Sequence, residues 1–211
     1  MESNYEKVKE NWRQKFLEMD QEMLIRKFSL KADEENLYIV YFSRKMVIDR
    51  KTGVISYLES EEKPGFNTVM MIYNMFHYAI ENPIASNTMI PFRQVKRAYP
   101  FEGAYKRDIL NELEHRFSGK TELLEKACIA LNGEKMKQGD VGYLLPVYPF
   151  LKLAVLFWDK DEEFEAQANM LFDSNVTDFM HEENVVCMAS DCVYYLTVAA
   201  GLRSKEIYAG N

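Results

Sequence analysis

The most apolar stretch of the chain runs from Leu144 to Trp158 and contains Pro146, Pro149 and Lys152. It is 15 residues long, which is too short for a membrane-spanning helix of about 20 apolar residues. Its β-branched and aromatic composition instead favours buried strands, and the prolines mark the break between them. The sequence therefore predicts a hairpin of two strands, 141–148 and 150–158.

Further strand signals lie on both sides of this stretch. An acidic turn at 159–163 and an apolar run at 169–172 predict a third strand that returns along the hairpin. In the N-terminal half, three short runs rich in β-branched and aromatic residues predict an antiparallel meander: 37–42, 45–50 and 54–58. A weaker strand signal lies at 88–90.

The remaining segments have apolar residues at spacings of three and four, which predicts helices with one buried face. In the first helix this face includes Tyr5 and Val8, and in the third it ends at Ile80. The predicted helices and helical turns are 4–19, 20–24, 66–81, 92–95, 103–117, 121–131, 176–180 and 182–201.

The order of these elements indicates an α+β fold, because helices and strands come in blocks and do not alternate strictly. We expect a mostly antiparallel sheet, made of the N-terminal meander and the C-terminal hairpin, with helices packed around it. A length of 211 residues is compatible with one domain over 1–211.

The negative charge of the chain is concentrated in one segment. Between Asp159 and Glu183 nine acidic residues face only Lys160, which gives this segment a charge of −8, whereas the rest of the chain carries +1 and the whole chain −7. Nucleic-acid binding requires clustered Lys and Arg, so we expect no nucleic-acid partner. The first 20 residues are charged rather than apolar, and we expect a cytoplasmic protein without a membrane partner.

Common catalytic and cofactor motifs are missing from the sequence. Three cysteines cannot form a disulfide framework, and Cys187 and Cys192 are five residues apart, a spacing that does not suit a shared metal. No glycine-rich phosphate loop follows a strand, and no serine lies in a nucleophile elbow. We therefore predict neither a cofactor nor a metal, and we assign no catalytic residue.

The acidic hairpin is the strongest candidate for a functional site. Carboxylates at alternate positions of a turn can bind a hard cation, but Phe164 and Met170 occupy the positions where a calcium loop needs Gly and Glu. We expect Phe164 and Phe172 to anchor the hairpin on the core. The candidate binding residues are Trp158, Asp161, Glu162, Glu163, Phe164, Asp173 and Arg93.

Three functions are compatible with this pattern. The leading hypothesis is a non-enzymatic binding or accessory module that engages an unknown protein or small molecule through the acidic hairpin or an adjacent pocket. The second is a metal-dependent enzyme that uses the carboxylates from Asp159 to Asp173. The third is a homo-oligomer, such as a homodimer, in which the acidic tip docks on the basic stretch 93–107 of another copy. This stretch contains Arg93, Lys96, Arg97, Lys106 and Arg107.

A family resemblance rests on the same hairpin and its surroundings. The sequences 139–149, 156–158, 161–164 and 171–173 resemble an uncharacterised family labelled domain of unknown function 3786, which is found mainly in anaerobic bacteria and archaea. Lys160 replaces a glycine, and Glu165 a proline, that relatives usually carry. Some relatives carry an iron–sulfur segment or a link to corrinoid metabolism, but three dispersed cysteines do not supply such a cluster. The resemblance implies no established activity.

Overall fold

Strand-forming sequence lies in two separate regions of the chain, and each region forms its own antiparallel sheet in the computed structural model, which describes residues 4–202. The first sheet has four strands in the order β1-β2-β3-β4. Its strands are β1 (Lys31–Ala32), β2 (Asn36–Tyr41), β3 (Arg44–Asp49) and β4 (Ile55–Tyr57). The predicted meander is confirmed, and the two exposed residues of β1 are the only addition to it.

A two-residue turn joins β2 to β3 without the Asn-Gly signal that usually marks it. Phe42 and Ser43 adopt left-handed φ angles of 43° and 63°, as a primed hairpin turn requires. Phe42 tolerates this conformation because its side chain is fully buried and its N–H donates to the Val147 carbonyl (2.9 Å). This bond connects the first sheet to the second.

The second sheet has the order β5-β9-β8-β7-β6. Its strands are β5 (Met89–Pro91), β6 (Glu134–Lys135), β7 (Val141–Tyr148), β8 (Leu151–Trp158) and β9 (Gln167–Asp173). The predicted hairpin is confirmed as β7 and β8, and β8 is the central strand. Its residues are buried except for Lys152 and Trp158, which explains why the apolar run hardly alternates.

Helices surround the two sheets, as predicted for an α+β fold. They are α1 (Asn4–Leu17), α2 (Gln21–Phe28), α3 (Phe66–Tyr78), α4 (Glu102–Tyr105), α5 (Asn111–Phe117), α6 (Thr121–Ala130), α7 (Val176–Phe179) and α8 (Glu182–Ala199). A π-helical turn, Lys106–Leu110, joins α4 to α5, and short 3-10 turns lie at Phe92–Gln94 and Tyr99–Phe101. Within residues 4–202, no helix combines the length and the apolar character that a membrane span requires.

Two predicted buried faces are wrong at their ends. Tyr5 and Val8 are exposed because α1 lies on the surface and buries only Phe16 fully. Ile80 lies beyond the end of α3 and is 48% exposed. The core stripe of α8 is buried from Val185 to Leu196, and this helix supplies the centre of the molecule.

Candidate functional site

The acidic tip, residues 159–165, connects β8 to β9 and is held by its own carboxylates. Asp161 Oδ1 accepts hydrogen bonds from the backbone N–H groups of Glu163 and Phe164, both at 2.8 Å. The Asp161 N–H donates to the Phe164 carbonyl (3.0 Å). These N–H groups stabilise the charged form and lower the pKa of Asp161 below its usual value. Asp161 therefore closes the turn in which it lies.

Asp159 ties the tip to the helical layer. Its Oδ1 accepts from the Gly119 N–H (2.8 Å) and from the Lys160 N–H (2.9 Å). Its own N–H donates to Asp140 Oδ2 (2.8 Å). The carboxylates of Asp159 and Asp161 thus point in different directions, each towards its own backbone N–H groups. Among the described residues, no three His, Cys, Asp or Glu side chains converge to hold a metal ion.

The outer side chains of the tip face solvent. Glu162 and Glu163 are exposed, and Trp158 is 41% exposed. The prediction that Phe164 anchors the hairpin on the core is wrong, because this ring is 65% exposed. Phe172 is fully buried, as expected, and packs against Phe92 with ring centroids 5.7 Å apart.

Asp173 does not belong to the acidic tip. It lies at the opposite end of β9, six residues from Gln167, which corresponds to about 20 Å along a strand. Its side chain is 1% exposed. Oδ1 accepts from the Ser86 N–H (3.0 Å), the Ser86 hydroxyl (2.9 Å) and the Asn175 N–H (2.8 Å), and Oδ2 accepts from the Asn87 N–H (2.7 Å). Asp173 fastens the loop before β5 to the end of β9.

The basic stretch around Arg93 is divided between separate surfaces. Arg93 is exposed on the 3-10 turn that follows β5, and β5 pairs with the second half of β9. Lys96 and Arg97 line a cavity of about 270 Å³ beside His181. Lys106 and Arg107, in the π-helical turn, line a different depression. The basic residues therefore do not form one face.

A buried polar network, which was not predicted from the sequence, crosses the centre of the fold. Asp191 of α8 is 1% exposed; it accepts from the Tyr41 hydroxyl (2.8 Å) and from the Asn67 side-chain amide (2.9 Å). One turn further, the Tyr195 hydroxyl bonds to those of Tyr57 (3.1 Å) and Thr68 (2.9 Å). The network joins β2, β4, α3 and α8.

The electrostatics of this network favour neutral phenols. Burial raises the pKa of Tyr41 well above its ordinary value, and the nearby charge of Asp191 adds to this shift. The pKa of Tyr148 is raised by the same two causes, and its buried hydroxyl has no hydrogen-bond partner within residues 4–202. A sequence signal did exist, since Asp191 is the only charged residue of α8 after Glu183.

A large cleft lies at the end of the molecule opposite the acidic tip. It has a volume of about 680 Å³ and lies between β2, the end of α2 and the turn that joins β7 to β8. The cleft lies where β8 begins and the acidic tip lies where β8 ends. The seven residue steps of this strand separate the two by about 24 Å. The lining residues are Lys27, Phe28, Ser29, Leu30, Lys31, Tyr38, Ile39, Val40, Lys45, Met46, Leu58, Pro83, Pro149, Phe150 and Phe179.

Aromatic rings form one wall of the cleft. The Phe150 ring stacks near Phe28 (centroids 5.4 Å apart) and Phe179 (5.6 Å). On its inner side it is parallel to Tyr148 within 6°, at 5.3 Å. Tyr148 in turn contacts Tyr41 of the buried network (5.0 Å). The wall of the cleft is therefore supported directly by fully buried aromatic residues of the core.

The charge of the cleft is opposite to that of the chain. Lys27, Lys31 and Lys45 line it, and none of its lining residues within 4–202 is acidic, although the net charge of the chain is −7. Lys27 Nζ donates to the Ala79 carbonyl (3.1 Å), and Lys45 forms an exposed ion pair with Glu59 (2.6 Å). The geometry combines an apolar interior with ammonium groups at its rim, which suits a ligand with an apolar body and a negative group.

Comparison with known proteins supports the family assignment and gives no activity. No curated protein and no solved structure matches the chain. A family model, described as domain of unknown function (DUF3786), matches residues 20–195. The matched segment contains the whole of both sheets, the buried network up to Tyr195 and the cleft. The chain therefore belongs to the domain of unknown function 3786 family.

Proposed function

We propose that this protein is a binding module and that its cleft holds an amphipathic anion, with the apolar part inside and the negative group at the lysine rim. The observation that carries the proposal is the coincidence of an apolar, aromatic cavity with three lysines and, among the residues that the structure describes, no acidic lining residue. Protein pockets that bind small molecules are mostly apolar and contain a few polar groups that fix orientation.

The size and rigidity of the cleft support this proposal. Its volume of about 680 Å³ lies within the range of about 300–1,000 Å³ that is common for ligand sites. Phe28 and Met46 on its floor are buried in the core, and Phe150 is fixed by stacking. A preformed wall lowers the entropy cost of binding, because few side chains become ordered only on binding.

The lysines can provide the anion contacts. An ammonium group has three donors, and Lys27 directs one of them to the Ala79 carbonyl, so two can face a ligand. Lys31 is exposed on β1. A carboxylate or phosphate about 4 Å from one ammonium gains about 1 kcal/mol even in bulk water.

The acidic hairpin is less well supported as the binding site. Asp159 and Asp161 already accept hydrogen bonds from backbone N–H groups, and Asp173 is buried at the other end of β9. The distance between Asp173 and the acidic tip also weakens the case for a metal-dependent enzyme that would use all these carboxylates together. The non-enzymatic binding hypothesis therefore stays, but we place the site in the cleft.

Titration with the fluorescent probe anilinonaphthalene sulfonate, an apolar anion, tests this proposal. We expect saturable binding of one probe per chain. Phe150→Ala should weaken it about tenfold, the equivalent of about 1.4 kcal/mol, because the aromatic wall is lost. The double variant Lys27→Gln/Lys31→Gln should weaken it about fivefold or more.

Two matched variants serve as controls. Phe164→Ala removes an equally large but exposed ring from the acidic tip, and Lys126→Gln removes an exposed lysine of α6; neither should change the affinity. Near-ultraviolet circular dichroism checks that every variant keeps its packed core. Absence of saturable binding, or loss of binding in the controls alone, would refute the proposal.

A further inference from the structure

The outer edge of β2 is only partly covered. β1 pairs with it through Lys31–Tyr38 and Ala32–Leu37, but β2 continues to Tyr41. Along the described part of the chain, no strand pairs with the outer side of residues 39–41. An unpaired strand edge presents backbone N–H and C=O groups that can accept another strand.

The hairpin geometry determines which backbone groups are open. Tyr41 and Arg44 flank the two-residue turn, so the N–H and C=O of Tyr41 point to β3. Because these directions alternate along an antiparallel strand, those of Val40 point outward. Asn36 lies an even number of residues from Val40, so its backbone groups should point to the same side. Its carbonyl does accept from the Asp33 N–H on that outer side (3.0 Å).

The chain itself turns away from this position. If the register of β1 continued, Ser29 would lie opposite Val40, because Lys31 lies opposite Tyr38. Ser29 instead ends α2 in a left-handed conformation (φ 51°), and its N–H bonds to carbonyls of that helix. The N–H and C=O of Val40 therefore open into the cleft, which Val40 lines.

We infer that the ligand of the cleft is a short extended peptide segment that pairs with Val40 as an added strand and carries a carboxylate to the lysine rim. This inference rests on the proposed function, because it uses the same cleft. One residue of an extended peptide presents its N–H donor and its C=O acceptor on the same side, in the geometry that Val40 requires, and apolar side chains of the peptide fit the aromatic wall.

The length of the contact follows from the strand. Residues 39–41 cover two residue steps, about 7 Å, so two or three peptide residues can lie against the open edge. The carboxylate, from the peptide C-terminus or from an acidic side chain, would be placed near Lys27 or Lys31. Charge complementarity favours this occupant over a basic peptide, since the described lining of the cleft contains lysines and no acidic residue.

Synthetic tetrapeptides test the inference on the whole protein. The probe is acetyl-Val-Leu-Ile-Phe with a free C-terminus, compared with its C-terminal amide and with acetyl-Val-Leu-Ile-Glu-amide, which moves the carboxylate to a side chain. We expect the first or third peptide to displace anilinonaphthalene sulfonate at least tenfold more strongly than the uncharged amide. Which of the two is stronger identifies the source of the carboxylate.

Methylation of one peptide nitrogen at a time distinguishes strand pairing from simple apolar binding. Methylation of the amide that faces Val40 should weaken binding tenfold or more, whereas methylation of its neighbours, which face away, should be tolerated. In nitrogen-15 spectra the Val40 amide proton should shift downfield on binding. A Val40→Pro variant, tolerated where the N–H is unpaired, should bind the sulfonate probe but lose the peptide.

Three outcomes overturn the inference. If all methylated peptides bind equally well, backbone pairing is refuted. If anilinonaphthalene sulfonate binds in the cleft but no peptide displaces it, the peptide assignment fails while the proposed binding function stands. Failure of the sulfonate probe as well would refute both.

Discussion

Replacement of Asp173 by Asn tests whether this carboxylate is structural, as its burial indicates, or part of a binding site, as the sequence suggested. Asn keeps the shape of the side chain and one acceptor oxygen. That oxygen can still accept from the Ser86 and Asn175 N–H groups. The new amide nitrogen would then face the Asn87 N–H, which now donates to Oδ2 at 2.7 Å.

The expected loss of stability can be worked out from these four bonds. One hydrogen bond to a charged acceptor disappears, at a cost of about 1.5–3 kcal/mol, and the other three weaken because the acceptor becomes neutral. We expect a total of about 3 kcal/mol. With a urea dependence of about 2 kcal/mol per M, the unfolding midpoint should fall by about 1.5 M.

Asp161→Asn is the matched control. Both N–H groups that this side chain holds donate to Oδ1, so the new amide can face solvent, and the cost in stability should be about 0.5 kcal/mol. Urea unfolding monitored by tryptophan fluorescence measures both variants. If Asp173→Asn unfolds within about 0.5 kcal/mol of the unaltered protein, the structural assignment is refuted.

Three further predictions concern the core. Asp191→Ala removes the acceptor of the Tyr41 hydroxyl and one acceptor of the Asn67 amide, which keeps only its longer bond to the Cys187 carbonyl (3.3 Å). It should lower the free energy of unfolding by about 3–5 kcal/mol in urea titrations. Burial raises the pKa of the Cys128 thiol from 9.0 to about 12. Because the folded value lies above the unfolded one, the free energy of unfolding should be constant below about pH 9 and fall from there towards pH 12, by up to about 1.4 kcal/mol per pH unit. Cys128→Ala should reduce this fall. Gly142→Ala would place a Cβ atom in steric overlap with the Gln138 carbonyl oxygen, so the melting temperature of this variant should drop strongly. The Cβ atom of Gly103→Ala meets nothing within 4 Å, so that variant should keep or raise the melting temperature.

Local patterns were sufficient to predict most of the elements. The long apolar run predicted the strands β7 and β8, because an element at the surface cannot bury so many consecutive apolar residues. The α8 stripe and the meander were equally clear. By contrast, β1 and β6 contain two exposed residues each, and such short strands exist only because a neighbouring strand holds them. The turn at Phe42 carries no turn residue, and tertiary packing overrides its local preference.

The candidate site was less predictable because it depends on long-range contacts. Asp173 reads as part of an acidic cluster, but its partners Ser86 and Asn87 arrive with β5, more than 80 residues earlier in the chain. The cleft is likewise assembled from segments around Lys27, Val40 and Phe150. No pattern within a single segment indicates that these segments are in contact in the folded chain.

The open edge of β2 also has a consequence for solubility. An uncovered strand edge invites association between copies, and lysines beside such an edge are a common protection against it. Lys31 is exposed on β1 beside the open edge, and Lys27 lines the adjacent cleft, so these two lysines can repel the same edge of another molecule. The two residues proposed to attract a carboxylate would then also keep the unliganded protein monodisperse, and their joint neutralisation should promote aggregation that salt does not reverse.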